Sequence, residues 1–343
     1  MKKIITLVLM ATIATTALTG CSSSGSKADS GDKKVTIGTT IYKFDDTFMT
    51  GVRNSITSQA STDNVTADIV DSQNSTSTQN DKIDLFITKK VSALAINPVD
   101  PKASSTIISK AKSANIPIVF FNRVPSESDM NSWDKLYYVG AKPEQSGTIQ
   151  GKIMAEYWKA HPEADKNHDG VIDYVMLTGE PGNSDAIART KYSIDELTTQ
   201  GIKSNQLATD TGMWDRVKAQ DKMQSFLTSK GDQIEAVFAN NDDMALGAIE
   251  ALKAAGYFTG GKYIPVVGVD ATAPGVKAIE DGTMLGTVLN DAKNQGIATL
   301  KIAEVVGKGE TPSKDNTGYD IVDGKYVWID YKKITKDNIS DAK

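Results

Sequence analysis

Cysteine occurs once and histidine twice in 343 residues, and both scarcities remove classes of function. A single thiol cannot close a disulfide within the chain, so stability has to come from packing. With so little histidine, and with no nucleophile–base pair or phosphate loop, the chain is not read as an enzyme. Basic residues are also in deficit: the formal net charge is -5 and no basic block interrupts it, which makes nucleic acid a poor partner. Aromatics are sparse at 7% against 39% apolar residues and 27 glycines, a soluble globular composition rather than a fibrous, disordered or multi-span membrane one. The length suits about two domains, each able to bury its own core.

What is present begins with a processing signal. Lys2 and Lys3 precede an apolar run over 4–18 that is too short to span a bilayer comfortably. Its end, Leu18-Thr19-Gly20-Cys21, resembles the lipobox of bacterial lipoproteins. That resemblance makes 1–20 a lipoprotein signal peptide and Cys21 the acylated first residue of the mature chain. The expected location is the cell membrane, lipid-anchored on its extracytoplasmic face. Residues 21–34 are small and polar without periodicity, a flexible tether in which a dozen residues reach roughly 20 Å root-mean-square.

From Lys34 onward β-branched runs alternate with amphipathic stretches, the pattern of βαβ units and a parallel sheet. The pattern predicts strands over 35–42, 65–71, 93–97, 116–122 and 136–140, with helices such as 76–90 and 101–114 between them. A second series follows, with strands over 172–178, 206–209, 236–239, 264–269 and 286–289 and helices over 143–159, 185–200, 215–230 and 242–255. The expected fold is α/β: two doubly wound, Rossmann-like parallel-sheet domains of five strands each.

In open α/β sheets ligands bind beyond the carboxyl ends of the strands. Asp46, Asn122, Asn183 with Asp185, Asn241, Asp270 and Asn290 stand at or just after those ends. One such residue is usually a helix cap or a turn former, as Asp215 and Asp242 are taken to be. A series of them at successive strand ends aims carboxylates and amides at one place. Carboxylates accept a hydroxyl proton while amides donate to its oxygen, so this lining suits a neutral polyhydroxylated ligand. Phe48 and Trp214, also just after strands, supply flat partners for the C–H faces of a sugar ring.

A second constellation, Asp165-Lys166-Asn167-His168-Asp169-Gly170-Val171-Ile172-Asp173, spaces oxygen ligands at alternate positions around a turn-forming glycine, as calcium loops do. The bland alternative is an Asp/Asn turn. The twelfth position is Met176 rather than Glu, so another carboxylate must complete the shell. His168 falls at a non-ligating position and is expected to face solvent.

The segments Ile41-Tyr42-Lys43-Phe44-Asp45-Asp46-Thr47-Phe48-Met49, Gly179-Glu180-Pro181-Gly182 with Asp185 and Arg189, Met213-Trp214-Asp215, and Val288-Leu289-Asn290-Asp291-Ala292 together resemble the bacterial galactose/glucose-binding proteins of the periplasmic binding protein type 1 superfamily. The resemblance runs from about Val35 to the C-terminus. It implies that Asp46, Asn122, Asp185, Arg189, Asn241, Asp270 and Asn290 hydrogen-bond a monosaccharide, glucose or galactose, while Phe48 and Trp214 stack on it. It implies a structural Ca2+ held by Asp165, Asn167, Asp169, the Val171 carbonyl, Asp173 and Glu235. It implies a three-strand hinge, an N-terminal lobe over 35–141 plus 291–327 and a C-terminal lobe over 142–290 plus 328–343 that carries the loop 165–173. The protein would be a monomer that hands its sugar to an ABC transporter permease, or a sensor that presents it to a chemoreceptor or sensor kinase. Where that family usually has a histidine after Glu-Pro-Gly this chain has Asn183, a shorter group that can still donate but cannot titrate. Two rival readings are weaker. Asp185 and Asp270 could form a glycosidase pair, but so many convergent polar groups exceed what that chemistry needs. A sugar-responsive repressor would need a DNA-binding headpiece where this chain has a leader and tether.

Overall fold

The computed structural model describes residues 34–342; the leader, Cys21, the tether up to Lys33 and Lys343 lie outside the described residues. The first half of the chain runs β1 (Thr36–Ile41), α1 (Thr47–Thr62), β2 (Thr66–Asp71), α2 (Thr76–Thr88), β3 (Ala93–Ile96), α3 (Ser104–Ala114), β4 (Ile118–Phe121), α4 (Glu127–Met130) and β5 (Leu136–Gly140). It continues with α5 (Pro143–Ala160), β6 (Val171–Thr178), α6 (Ser184–Thr199), β7 (Lys203–Thr211), α7 (Arg216–Lys230), β8 (Ala236–Ala239), α8 (Asp242–Ala254), β9 (Val266–Val267), α9 (Ala273–Glu280) and β10 (Gly286–Leu289). The last elements are α10 (Ala292–Gly307), α11 (Lys314–Thr317), β11 (Tyr326–Trp328) and β12 (Lys332–Thr335).

Two six-stranded sheets result, ordered β11-β5-β4-β3-β1-β2 and β12-β10-β9-β8-β6-β7. Central strands such as β4 (Ile-Val-Phe-Phe) and β8 (Ala-Val-Phe-Ala) are buried at every residue, because crossover helices cover both faces of a parallel sheet. The edge strands β2 and β7 are half-exposed, so their sequences carry polar residues. For this reason β7 spans Lys203–Thr211, well beyond the 206–209 that its apolar content suggested.

The α/β architecture of two doubly wound domains stands, with differences that have physical causes. Each sheet has six strands rather than five, because β11 joins the first and β12 the second. Both are three or four residues long, too short for a periodicity to register. β12 also runs antiparallel to β10, while every other ladder is parallel. The stretch 264–269 yields a strand only at Val266–Val267, since Asp270 and Ala271 beyond it take positive φ. Glu235 precedes β8 rather than lying on it.

The chain passes between the sheets three times: from β5 to α5, from β10 to α10, and from β11 to β12. Ala298, Leu300, Ile302, Ala303 and Val306 of α10 are buried with Ile37, Val119 and Val139 of the first sheet. In the other direction Ile334 of β12 is buried in the second domain's core, with Val237 and Val266.

Candidate functional site

Beyond the carboxyl ends of β1, β6 and β8 the chain turns into a helix cap, and this local geometry places three of the polar groups. After β1, Asp46 caps α1: its Oδ1 accepts from the Met49 N–H at 2.7 Å and its Oδ2 from the Tyr42 hydroxyl at 2.5 Å. Asn183 caps α6, accepting from the amides of Asp185 and Ala186 at 2.8 and 3.2 Å. Its oxygen is therefore committed and its NH2 is left to donate. Asn241 caps α8 through Met244 N–H at 2.9 Å. Of the two aspartates taken as helix openers, Asp215 does cap α7, whereas Asp242 does not cap α8, Asn241 having that place.

Asn122 closes β4 with φ 60°, a conformation that Asn tolerates better than most residues. Its Oδ1 accepts from Asn97 at 3.1 Å. Asp270, beyond β9, accepts from the Asn290 amide at 3.2 Å, and Asn290 in turn accepts from Gln295 at 2.5 Å. Arg189, one turn after Asp185 on α6, donates to the Asn240 carbonyl at 2.8 Å and the Tyr331 hydroxyl at 3.3 Å. It stands 4.0 Å from Asp185 and 3.9 Å from Asp270, with its guanidinium 5.7 Å from the Trp214 ring centre. The buried Arg189 Nε and Trp214 Nε1 have no hydrogen-bond partner. The Trp214 ring lies flat against Gly179, where any Cβ would collide with it.

Asp46, Phe48, Asn122, Asn183, Asp185, Arg189, Trp214, Asn241, Asp270 and Asn290 all line one cavity, whose empty volume of about 360 Å³ is partly open to solvent. Tyr42, Met49 and Arg123 line it as well. These three were not singled out from the sequence, although Tyr42 and Arg123 immediately follow β1 and Asn122, so the strand-end rule applied to every residue type would have found them. Arg123 stacks 3.7 Å from the Tyr42 ring centre and pairs with Glu180 at 2.9 Å. A second bond across the cleft joins the Thr47 hydroxyl to Asp243 at 2.5 Å.

Burial raises the carboxyl pKa of Asp46, Asp185 and Asp270, and Asp270 is pushed well above the usual carboxylate range. Arg189 opposes this at Asp185 and Asp270, and Arg123 at Asp46. Desolvation of the charged form outweighs those attractions. The lining thus combines carboxylate acceptors, amide and guanidinium donors and three flat rings, Tyr42, Phe48 and Trp214, with neither cysteine nor histidine.

The loop 165–173 folds around its own backbone. Asp165 accepts from the Asp169 and Gly170 amides at 3.2 and 2.9 Å, Asn167 from the Asp169 amide at 3.0 Å, and Asp169 from the Val171 amide at 2.8 Å. Gly170 makes the turn at φ 73°. Glu235, 1% exposed, grips both ends of the loop, accepting from Lys166 N–H at 2.7 Å and Asp173 N–H at 3.0 Å. Burial raises its pKa, with Asp173 and Asp165 adding to the effect. The Asn167 amide nitrogen lies 3.1 Å from Asp169 Oδ2 and 3.4 Å from Asp173 Oδ2, a partial positive charge set among carboxylates. Among the described residues no group of three His, Cys, Asp or Glu side chains is placed to hold a metal. The all-oxygen donor set fits a hard cation. His168 is exposed.

The sequence profile of the periplasmic binding protein domain matches residues 37–311. The chain belongs to the periplasmic binding protein family. This periplasmic binding protein is 45% identical over 335 residues to the D-galactose/methyl-galactoside binding periplasmic protein MglB of Haemophilus influenzae, covering 97% of this chain and 98% of that one. It is 31% identical to the xylitol-binding protein of Mycolicibacterium smegmatis, over 95% of this chain and 83% of the relative. A solved ABC transporter solute binding protein from Bacillus halodurans with bound myo-inositol superposes with a TM-score of 0.75 at 30% identity, covering 91% of this chain and 98% of that one. In this periplasmic binding protein, groups that follow strands of both sheets meet at one cavity.

Proposed function

We propose that this periplasmic binding protein captures one monosaccharide, D-galactose or D-glucose, and delivers it to an ABC sugar transporter. The observation that carries the reading is the one cavity that takes acceptors, donors and three aromatic rings from both halves of the molecule. The name of the Haemophilus influenzae relative supports galactose. The lobes would be 35–141 with 291–328, Trp328 ending β11 in the first sheet, and 142–290 with 329–343, hinged at the three crossings. Each hydroxyl of a hexose would donate to a carboxylate of Asp46, Asp185 or Asp270 and accept from Asn122, Asn183, Asn241, Asn290 or Arg189. A ligand lacking one hydroxyl would leave a partner unpaired, at about 1–3 kcal/mol. Phe48 and Trp214 would cover the ring's two apolar faces. The unpartnered Nε of Arg189 and Nε1 of Trp214 suit a site completed by its ligand.

The same reading places calcium in the loop, held by Asp165, Asn167, Asp169, the Val171 carbonyl, Asp173 and Glu235. The ion would neutralise carboxylates that otherwise repel one another, and would take no part in sugar contact. Acylation at Cys21 would keep the protein on the extracytoplasmic face of the membrane. It would turn over no substrate, so aryl glycosides should release no chromophore. Calorimetric titration of the mature protein with glucose, galactose, ribose and xylose tests the assignment: tight binding of a hexose is expected, and indifference to all four would refute it.

A further inference from the structure

Asp270, which lines the cavity, and Ala271 next to it hold backbone angles that L-residues avoid: φ is 120° at Asp270 and 52° at Ala271. Such conformations cost of order 1–3 kcal/mol each and persist only where the surroundings impose them. Two sets of contacts impose them here: the β10 backbone, where the Val288 carbonyl accepts from Asp270 N–H at 2.8 Å and Asn290 N–H donates to the Asp270 carbonyl at 3.3 Å, and one buried carboxylate. Asp242 opens α8 but leaves the capping to Asn241, and its side chain turns under the cavity with no exposure. It accepts from the Thr272 N–H at 2.7 Å, the Thr272 hydroxyl at 3.1 Å and the Thr287 hydroxyl at 2.5 Å. Its own N–H donates to the Val269 carbonyl at 2.7 Å. Ala271 N–H donates to the same Thr287 hydroxyl at 3.4 Å. The residues on both sides of Asp270 are therefore tied to Asp242 directly or through one hydroxyl.

We infer that Asp242 is a positioning residue for ligand recognition: it clamps the turn over 269–272 and thereby aims the Asp270 carboxylate into the cavity. The inference rests on the sugar-binding reading and names how that site holds one of its acceptors. The fit is tight, since a Cβ on Gly268 or Gly275 would strike one or other oxygen of Asp242; a glutamate has no room there. An asparagine has the right size but the wrong donors. With its NH2 toward Thr272 it would meet an N–H, and toward Thr287 it would force that hydroxyl to stop donating.

A double-mutant cycle on the calcium-loaded mature protein tests this, with binding of D-glucose and D-galactose measured by calorimetry and melting recorded separately. Asp242→Asn should weaken the better of the two sugars about tenfold, and should weaken it less than twofold when Asp270→Asn is already present. Its effect on melting should be the same in both backgrounds, which separates positioning from loss of stability. If Asp242 acted only through its charge, which raises the Asp270 pKa, neutralising it would hold or tighten binding and overturn the clamp. Equal weakening in both backgrounds would overturn it too. Should Asp242→Asn not fold, Thr287→Val removes one arm of the clamp and must show the same non-additivity. Wild-type protein that binds neither sugar sinks the sugar reading and this inference with it; wild-type protein that binds beside an unaffected Asp242→Asn sinks the inference alone.

Discussion

Asp46, Asn183 and Asn241 each cap a helix with one atom and present the rest of the group to the cavity. The ordinary structural role and the recognition role therefore share a residue, and capping fixes the rotamer that recognition needs. Asp270 differs, because its oxygen is oriented by Asn290 and approached by Arg189. Replacing it with alanine would strand those buried donors, so Asp270→Ala should weaken sugar binding about a hundredfold in calorimetry. Acidity supplies a second test. Burial raises the pKa of Asp46, Asp185 and Asp270 and pushes Asp242 up to about 7. An acid whose folded pKa is raised stabilises the empty protein at low pH, and that contribution fades as pH rises through the folded value. Sugar binding has the opposite need, since an ionised carboxylate accepts hydroxyl protons with both oxygens and more strongly than the neutral acid does. The rise in Tm on adding sugar should consequently be larger near pH 8 than near pH 5, and scanning fluorimetry at about those two values reads it directly.

At the scale of elements, the loop 165–173 and Glu235 form one unit, because the glutamate bonds Lys166 and Asp173, at the loop's beginning and end. Glu235 was assigned from resemblance alone; it lies 62 residues from Asp173, and no local spacing could reveal that proximity. Chelating calcium should lower the Tm by several degrees and leave the sugar affinity of the folded protein within about twofold. Glu235→Gln should reproduce most of that fall and blunt the response to chelator. A Tm indifferent to both would remove calcium from the account. The strand pattern shows how far local rules reach. Buried central strands such as β4 and β8 announce themselves by unbroken apolar residues, and β7 was legible only in part because half its residues face water at a sheet edge.

Across the whole molecule, the pair Arg123–Glu180 and the bond Thr47–Asp243 tie the two sides of the cleft together by protein contacts. They favour the closed arrangement in proportion to what the open one forfeits. Glu180→Gln should speed sugar release about fivefold in stopped-flow measurements while changing the association rate little; an unaltered release rate would deny the pair that role. The amino-acid sequence by itself determined the α/β class, the order of most strands and helices, and the kinds of polar group at the strand ends, because each of these follows from short-range periodicity and capping. Only the tertiary structure decided that β11 and β12 complete the two sheets as sixth strands, that Arg123 meets Glu180, and that Asp242 grips the turn beside Asp270. Those contacts join residues tens to hundreds of positions apart, and their strength depends on burial and mutual orientation that no local pattern encodes.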